Sequence, residues 1–264
     1  MKTRPAAVAG SFYPDDPVVL TRSIDEMFFE VNGHTHNTSP KALIAPHAGY
    51  IYSGPTAACA YALLNAEKVK RVILLGPTHR VLISGLALPG TDAFKTPLGI
   101  IKLDQDAIQS IQSMLQVSTD NHTHALEHSL EVHLPFLQRK LGDFTLVPLA
   151  VGQARPEMVA EVLDRLWGGE ETVIIISSDL SHFHAYERAQ KIDAVTTESI
   201  LKMEPIITHE QACGATPING LLTYAKKHQL KCELIDLHNS GDTAGPRDRV
   251  VGYGAFAFYE QDKS

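Results

Sequence analysis

Four runs of consecutive apolar residues do most to limit what this chain can become: residues 41–46, 70–75, 144–151 and 172–177. Continuous apolarity, unlike alternation, marks a strand covered on both faces, which is the habit of parallel sheets. Three of the runs end alike. Leu43-Ile44-Ala45 leads into Pro46-His47-Ala48-Gly49, and Val72-Ile73-Leu74-Leu75 into Gly76-Pro77-Thr78-His79. Val173-Ile174-Ile175-Ile176 leads into Ser177-Ser178-Asp179-Leu180-Ser181-His182. A histidine therefore stands where each of three buried strands should be ending.

Helical patterns separate the runs. Residues 55–65 start with proline at a favoured first position, and residues 104–115 and 155–167 carry the 3.6-residue period. Leu126, Leu130, Leu134, Leu137 and Leu141 form one stripe, which predicts a helix kinked at Pro135. A polar connector, residues 32–40, follows an N-terminal helix, and its His34 and His36 read as solvated loop residues. Two β-rich segments, 232–237 and 250–258, close the sequence. Strands alternating with helices predict an α/β fold: a single domain over residues 1–264, with a mostly parallel central sheet flanked by helices. In such sheets ligands bind beyond the carboxyl ends of the strands, where His47, His79 and His182 are expected. Proline and glycine beside the first two give each strand a sharp, rigid exit.

Charge and composition exclude several classes. The 264 residues carry a formal net charge of −7 with no Lys/Arg cluster, so neither nucleic acid nor an anionic membrane is an expected partner. No apolar run approaches the roughly eighteen residues of a membrane helix, and the first sixteen lack the apolar core of a signal peptide. Three widely spaced cysteines do not make a disulfide framework, which points to the cytoplasm. Thirteen histidines favour metal or acid–base chemistry.

His47 and His79, on what read as neighbouring strands, make the strongest pair, and neutral imidazole suits Zn, Cu, Fe and Ni. Asp179 lies close enough in sequence to His182 to fix its tautomer and raise its basicity, as for a general base or a ligand with a supporting carboxylate. His184 reads as a surface neighbour. Cys213 precedes Thr216-Pro217, an expected N-cap and first helical residue, so the helix dipole should favour its thiolate. Cys59 and Cys232 read as core residues. In EHSLEVH (127–133), Glu127 and Glu131 would share one helical face while His128 and His133 would not. These four are either site-wall groups or a solvated helix face. The glycine-rich loop 238–247 is long enough to roof a pocket.

PHAGYIYSG, GPTH, EHSLEVHLPF, SSDLSHF and CGATPI, in that order, resemble the Memo family. That family is similar in fold to the class III extradiol (LigB-type) dioxygenases, which are non-haem iron enzymes. The resemblance implies that His47, His79 and Cys213 are metal ligands and that Asp179 and His182 line the same pocket. It also implies iron or copper, with zinc possible, and in some animal members a phosphotyrosine peptide partner. Where the dioxygenases place a carboxylate, this sequence has Cys213, a softer and oxidisable donor. The expected function is redox-linked, dioxygenase-like chemistry on a small ligand at a mononuclear His/His/Cys site, with His182 as acid–base group oriented by Asp179. Two alternatives stand beside it: a non-catalytic metal- or peptide-binding protein, and a zinc-dependent hydrolase.

Overall fold

The four apolar runs form the four central strands of one large sheet. The protein is described here from a computed structural model that places residues 1–31 and 39–261. His34 and His36 lie outside the described residues. In chain order the elements are β1 (Thr3–Arg4), α1 (Pro17–Val31), β2 (Ala42–Ala45), α2 (Tyr50–Ala62), β3 (Arg71–Pro77), β4 (Leu86–Leu88), β5 (Ala93–Thr96) and β6 (Gly99–Lys102). There follow α3 (Gln105–Ile111), β7 (Val117–Thr119), α4 (Asn121–Ala125), α5 (Leu134–Leu141), β8 (Thr145–Val151) and α6 (Pro156–Leu166). The chain ends with β9 (Thr172–Ser177), β10 (His182–His184), α7 (Tyr186–Leu201), α8 (Ala215–Lys227), β11 (Lys231–Asn239) and β12 (Val250–Tyr259).

The large sheet runs β10-β12-β2-β9-β3-β8-β4-β7, with β11 also paired to β12. β2, β9, β3 and β8 are parallel, and every residue of β2 and β9 is buried. Antiparallel pairs flank them, β12 on β2 and β4 on β8, so the sheet is mixed around a parallel centre. β1, β5 and β6 form a separate small sheet. Helices flank the large sheet, α6 packing on α8 and α1 on α2. Among the described residues, no helix is long and apolar enough to cross a membrane.

β9 lies between β2 and β3, so the turns carrying His47 and His79 are not on adjacent strands. The expected helix from Leu126 to Leu141 is also absent. α4 stops at Ala125, a single 3-10 turn spans Glu131–His133, and α5 begins at Leu134 with Pro135 in its first turn. The Glu127 carboxylate accepts the N–H groups of His128 and Ser129, which holds residues 127–129 in a tight turn instead. Pro135 starts a helix rather than kinking one. In α2 the first residue is Tyr50, whose N–H donates to the Phe12 carbonyl, and Pro55 is internal. α8 starts at Ala215 and is capped by Gly214, not Thr216; a Cβ on Gly214 would lie only 2.6 Å from the Ser177 carbonyl oxygen.

A buried network ties the N-terminal segment to this frame. Glu131, fully buried, accepts from Arg4 Nη1 at 2.6 Å, from Tyr13 Oη at 2.6 Å, and from the N–H groups of Ala7 and Val8. Arg4 also donates to the carbonyls of His124 and Glu127. Glu131 is thus neither a solvated face nor a pocket wall; it clamps the first residues against the 124–131 segment.

Candidate metal centre

Beyond the carboxyl ends of β2, β9 and β3 the chain places three imidazoles together. One nitrogen each from His47, His79 and His128 lies within 4.8 Å of the others. The His47 and His79 ring centres are 5.1 Å apart, and His79 stacks on His128 at 4.5 Å. His128 is the residue whose place the sequence did not reveal. Its spacing from His133 argues against a shared helical face, but the 127–129 turn is not helical, so that argument does not apply.

Each ring is aimed by a neighbour. Ser177 Oγ donates its proton to the Ser129 carbonyl at 2.6 Å and therefore accepts from His47 Nδ1, also at 2.6 Å. His47 is left with a bare Nε2. Burial first, then the surrounding histidines, hold its pKa well below the usual imidazole range, so the ring is neutral. His79 Nδ1 donates to Glu127 Oε1 at 2.9 Å while the His79 N–H donates to Oε2 at 2.6 Å. Burial alone would raise the Glu127 pKa, but the bonds and charge of His79 with the backbone donors bring it down to about 2. An ionised Glu127 accepts the Nδ1 proton and so turns His79 Nε2 toward the cluster, where a metal ion would take the place of the ring's second proton. His128 is neutral as well, its pKa lowered to about 4 chiefly by burial.

The turn carrying Glu127 and His128 closes tightly on β3. Ser129 Oγ donates to the Pro77 carbonyl, and a Cβ on Gly76 would meet Ser129 Oγ at 2.8 Å. Glycine is needed there for the close approach.

Cys213 borders the cluster, with Sγ 3.4 Å from His47 Nε2. A nitrogen and a sulfur bound to one ion at about 2.0 and about 2.3 Å stand about 3.5 Å apart in a tetrahedral arrangement, so this spacing fits a shared metal. The expectation of a dipole-favoured thiolate fails in the metal-free chain. Burial first and the Asp179 carboxylate second push the thiol up to about 12, outweighing the Asp179 N–H that donates to Sγ at 3.3 Å. Asp179 also behaves differently from expectation. Its Oδ1 accepts from the His47 N–H at 2.8 Å, so it fixes the His47 turn, and its hydrogen bonding is not to the His182 ring. Burial raises its pKa, with the charge of His182 acting against that rise.

A cleft of about 920 Å³ opens beside the cluster, lined among others by His79, His182, His184 and Cys213. His182 thus reaches the same space as the metal-competent groups, and His184 belongs to the wall. Residues 238–247 do not line the cleft; Thr243 donates to the Tyr52 carbonyl and Asp242 accepts from Tyr186. His133, fully buried behind His47, bonds the Tyr61 hydroxyl through Nδ1.

Residues 4–257 match the family model described as Memo-like protein. The chain belongs to the Memo family. A MEMO1 family protein of Aquifex aeolicus is 36% identical over 275 residues, covering 98% of this chain and 100% of that one. A MEMO1 family protein of Saccharolobus islandicus strain Y.G.57.14 is 35% identical over 289 residues, with 98% and 99% covered. Among solved structures, an uncharacterised protein of Escherichia coli K12 superposes with a TM-score of 0.51 at 12% identity, covering 83% of this chain and 100% of that one. That likeness concerns the fold. For this Memo-family chain, the family and the histidine cluster together are compatible with metal binding.

Proposed function

We propose that the protein holds one transition-metal ion between His47, His79 and His128, with Cys213 as a further donor, and acts on a small ligand admitted through the cleft. One observation carries this reading: imidazole nitrogens from three distant segments converge within 4.8 Å. The Nδ1 atoms of His47 and His79 are meanwhile engaged elsewhere. Neutral, pre-aimed rings are what a transition metal requires. Iron or copper, when bound there, would supply the redox chemistry of a dioxygenase-like site. The chain's own groups do the remaining work. Ser177 and Glu127 set the ring tautomers, Asp179 holds the His47 turn, and His182 stands in the cleft wall as the group able to take or give a ligand proton.

A zinc hydrolase is the second reading, favoured by the three-imidazole set, which is also a recognised catalytic zinc arrangement. Elemental analysis of protein purified without an affinity tag, followed by titration with Fe(II), Cu(I) and Zn(II), separates the two. About one equivalent of iron or copper supports the first reading, and zinc with ester hydrolysis the second. Unchanged affinity in a His47→Ala, His79→Ala double variant would remove the site altogether.

A further inference from the structure

α7 presents two different faces. Ala189, Asp193, Thr196, Thr197 and Ile200 are buried, whereas Arg188, Lys191, Ile192 and Val195 line the cleft at the spacing of a single helical stripe. The Arg188 and Lys191 side chains are exposed and have no hydrogen-bond or ion-pair partner among the described residues. Glu210 is the one carboxylate in the cleft lining. The chain as a whole carries a net charge of −7, so a cleft with two uncommitted cations against one acid runs opposite to its surroundings.

Phe183 also lines the cleft. It is 62% exposed and sits at φ +60°, in the left-handed region where a bulky side chain is an outlier. The cause is local. His182 pairs with Val251 and His184 with Val250, so Phe183 is the extra residue of a β-bulge, a position that glycine usually takes. The Arg249 guanidinium lies 5.0 Å from its ring centre. A strained backbone that displays a large apolar ring at the mouth of a cleft is a feature of ligand sites rather than of a stability-driven turn.

We infer that the cleft takes a small organic anion with an apolar body, Arg188 and Lys191 matching its negative group and Phe183, Ile192 and Val195 its carbon skeleton. The inference rests on the reading of the cleft as the approach to the metal centre, since His79 and Cys213 line both. It makes Arg188, Lys191 and Phe183 the residues that decide which ligand reaches that centre. The volume of about 920 Å³ suits a molecule of this kind, at the upper end of small-ligand sites.

The test is binding of 4-phenylbutyrate against its neutral counterpart, 4-phenylbutanamide, by calorimetry on chelator-treated protein, so that no metal can hold the carboxylate. Exposed ion pairs are individually weak, so the expected preference for the acid is about fivefold and should shrink with added salt. An Arg188→Gln, Lys191→Gln double variant should abolish the preference and leave amide binding unchanged. Phe183→Gly should weaken acid and amide alike while raising the thermal midpoint, because glycine relieves the left-handed strain. Absence of acid binding, equal affinity for acid and amide, or a preference that survives in the double variant overturns the inference. Metal uptake, measured by titrating the same proteins with Fe(II), Cu(I) and Zn(II) after the chelator is removed, is a separate readout. If wild type takes up no metal but keeps the acid preference, the metal reading fails and the cleft assignment stands.

Discussion

Ser177 and His47 are bonded in one direction only: the serine proton is committed to the Ser129 carbonyl, so the serine can only accept from His47 Nδ1. Strand β9, between the two strands whose exit turns carry His47 and His79, thereby fixes the tautomer of a residue just beyond β2. Ser177→Ala removes that acceptor with little change in volume. Metal affinity should fall about tenfold to a hundredfold, the usual cost of losing a group that orients a ligand. Titration of the variant at neutral pH gives the answer, and wild-type affinity would show that His47 needs no such support.

His128 and Cys213 complete the proposed donor set beside His47 and His79. His128→Ala and Cys213→Ala should each cost more affinity than Ser177→Ala if both bind the ion. A Cys213→Ala variant with undiminished affinity would limit the donor set to the three imidazoles. Thiol labelling by mass spectrometry adds an independent reading. With a thiol pushed up to about 12, Cys213 should alkylate far more slowly at pH 7 than an ordinary free thiol, even without metal.

Acid should begin to destabilise the protein above the carboxylate range. Burial lowers His124 to about 4, and His133 to about 3, from an ordinary 6.5. The unfolded chain therefore binds more protons than the folded one between those values, and stability rises with pH across the interval. The contribution is complete above about 6.5 and is lost as pH falls toward 4 and below. For His124 alone, the gap between 6.5 and about 4 corresponds to about 3 kcal/mol. Urea midpoints measured on metal-free protein at pH 7.5 and pH 5 should differ clearly, and coincident midpoints would contradict the burial of these rings. His124→Gln should flatten part of the slope.

Breaking the Arg4–Glu131 pair should be among the costliest single changes. The two groups meet at 2.6 Å with side chains 4% and 0% exposed, so removing one strands the other's charge. Glu131→Leu and Arg4→Met should each destabilise by about 3–5 kcal/mol, and the double variant by less than their sum. Additive losses would mean that the pair is not coupled.

The central strands were legible because a strand buried on both faces needs a continuous apolar run, and β2, β3, β8 and β9 each carry one, with polar residues only at strand ends. Strands β4 to β7 were not, since three or four residues carry too little pattern to separate them from loops. His47 and His79 were legible through proline and glycine at strand exits. His128 was hidden by a regular leucine spacing that imitates a helix. The local competitor was Glu127, whose carboxylate takes backbone N–H groups that a helix would have used. Similarly, Cys213 precedes a helix as expected, but its thiol answers to burial and to Asp179 before it answers to the dipole.

β12 pairs with β2, β10 and β11 at once, although it spans residues 250–259. A ribosome reaches those residues only after every other strand of the sheet has been translated. Until then β2 presents an unpaired backbone edge to its surroundings, and its continuous apolar sequence gives that edge nothing to deter self-association. Nascent chains stalled before Val250 should therefore depend on chaperones to a degree that the finished protein does not.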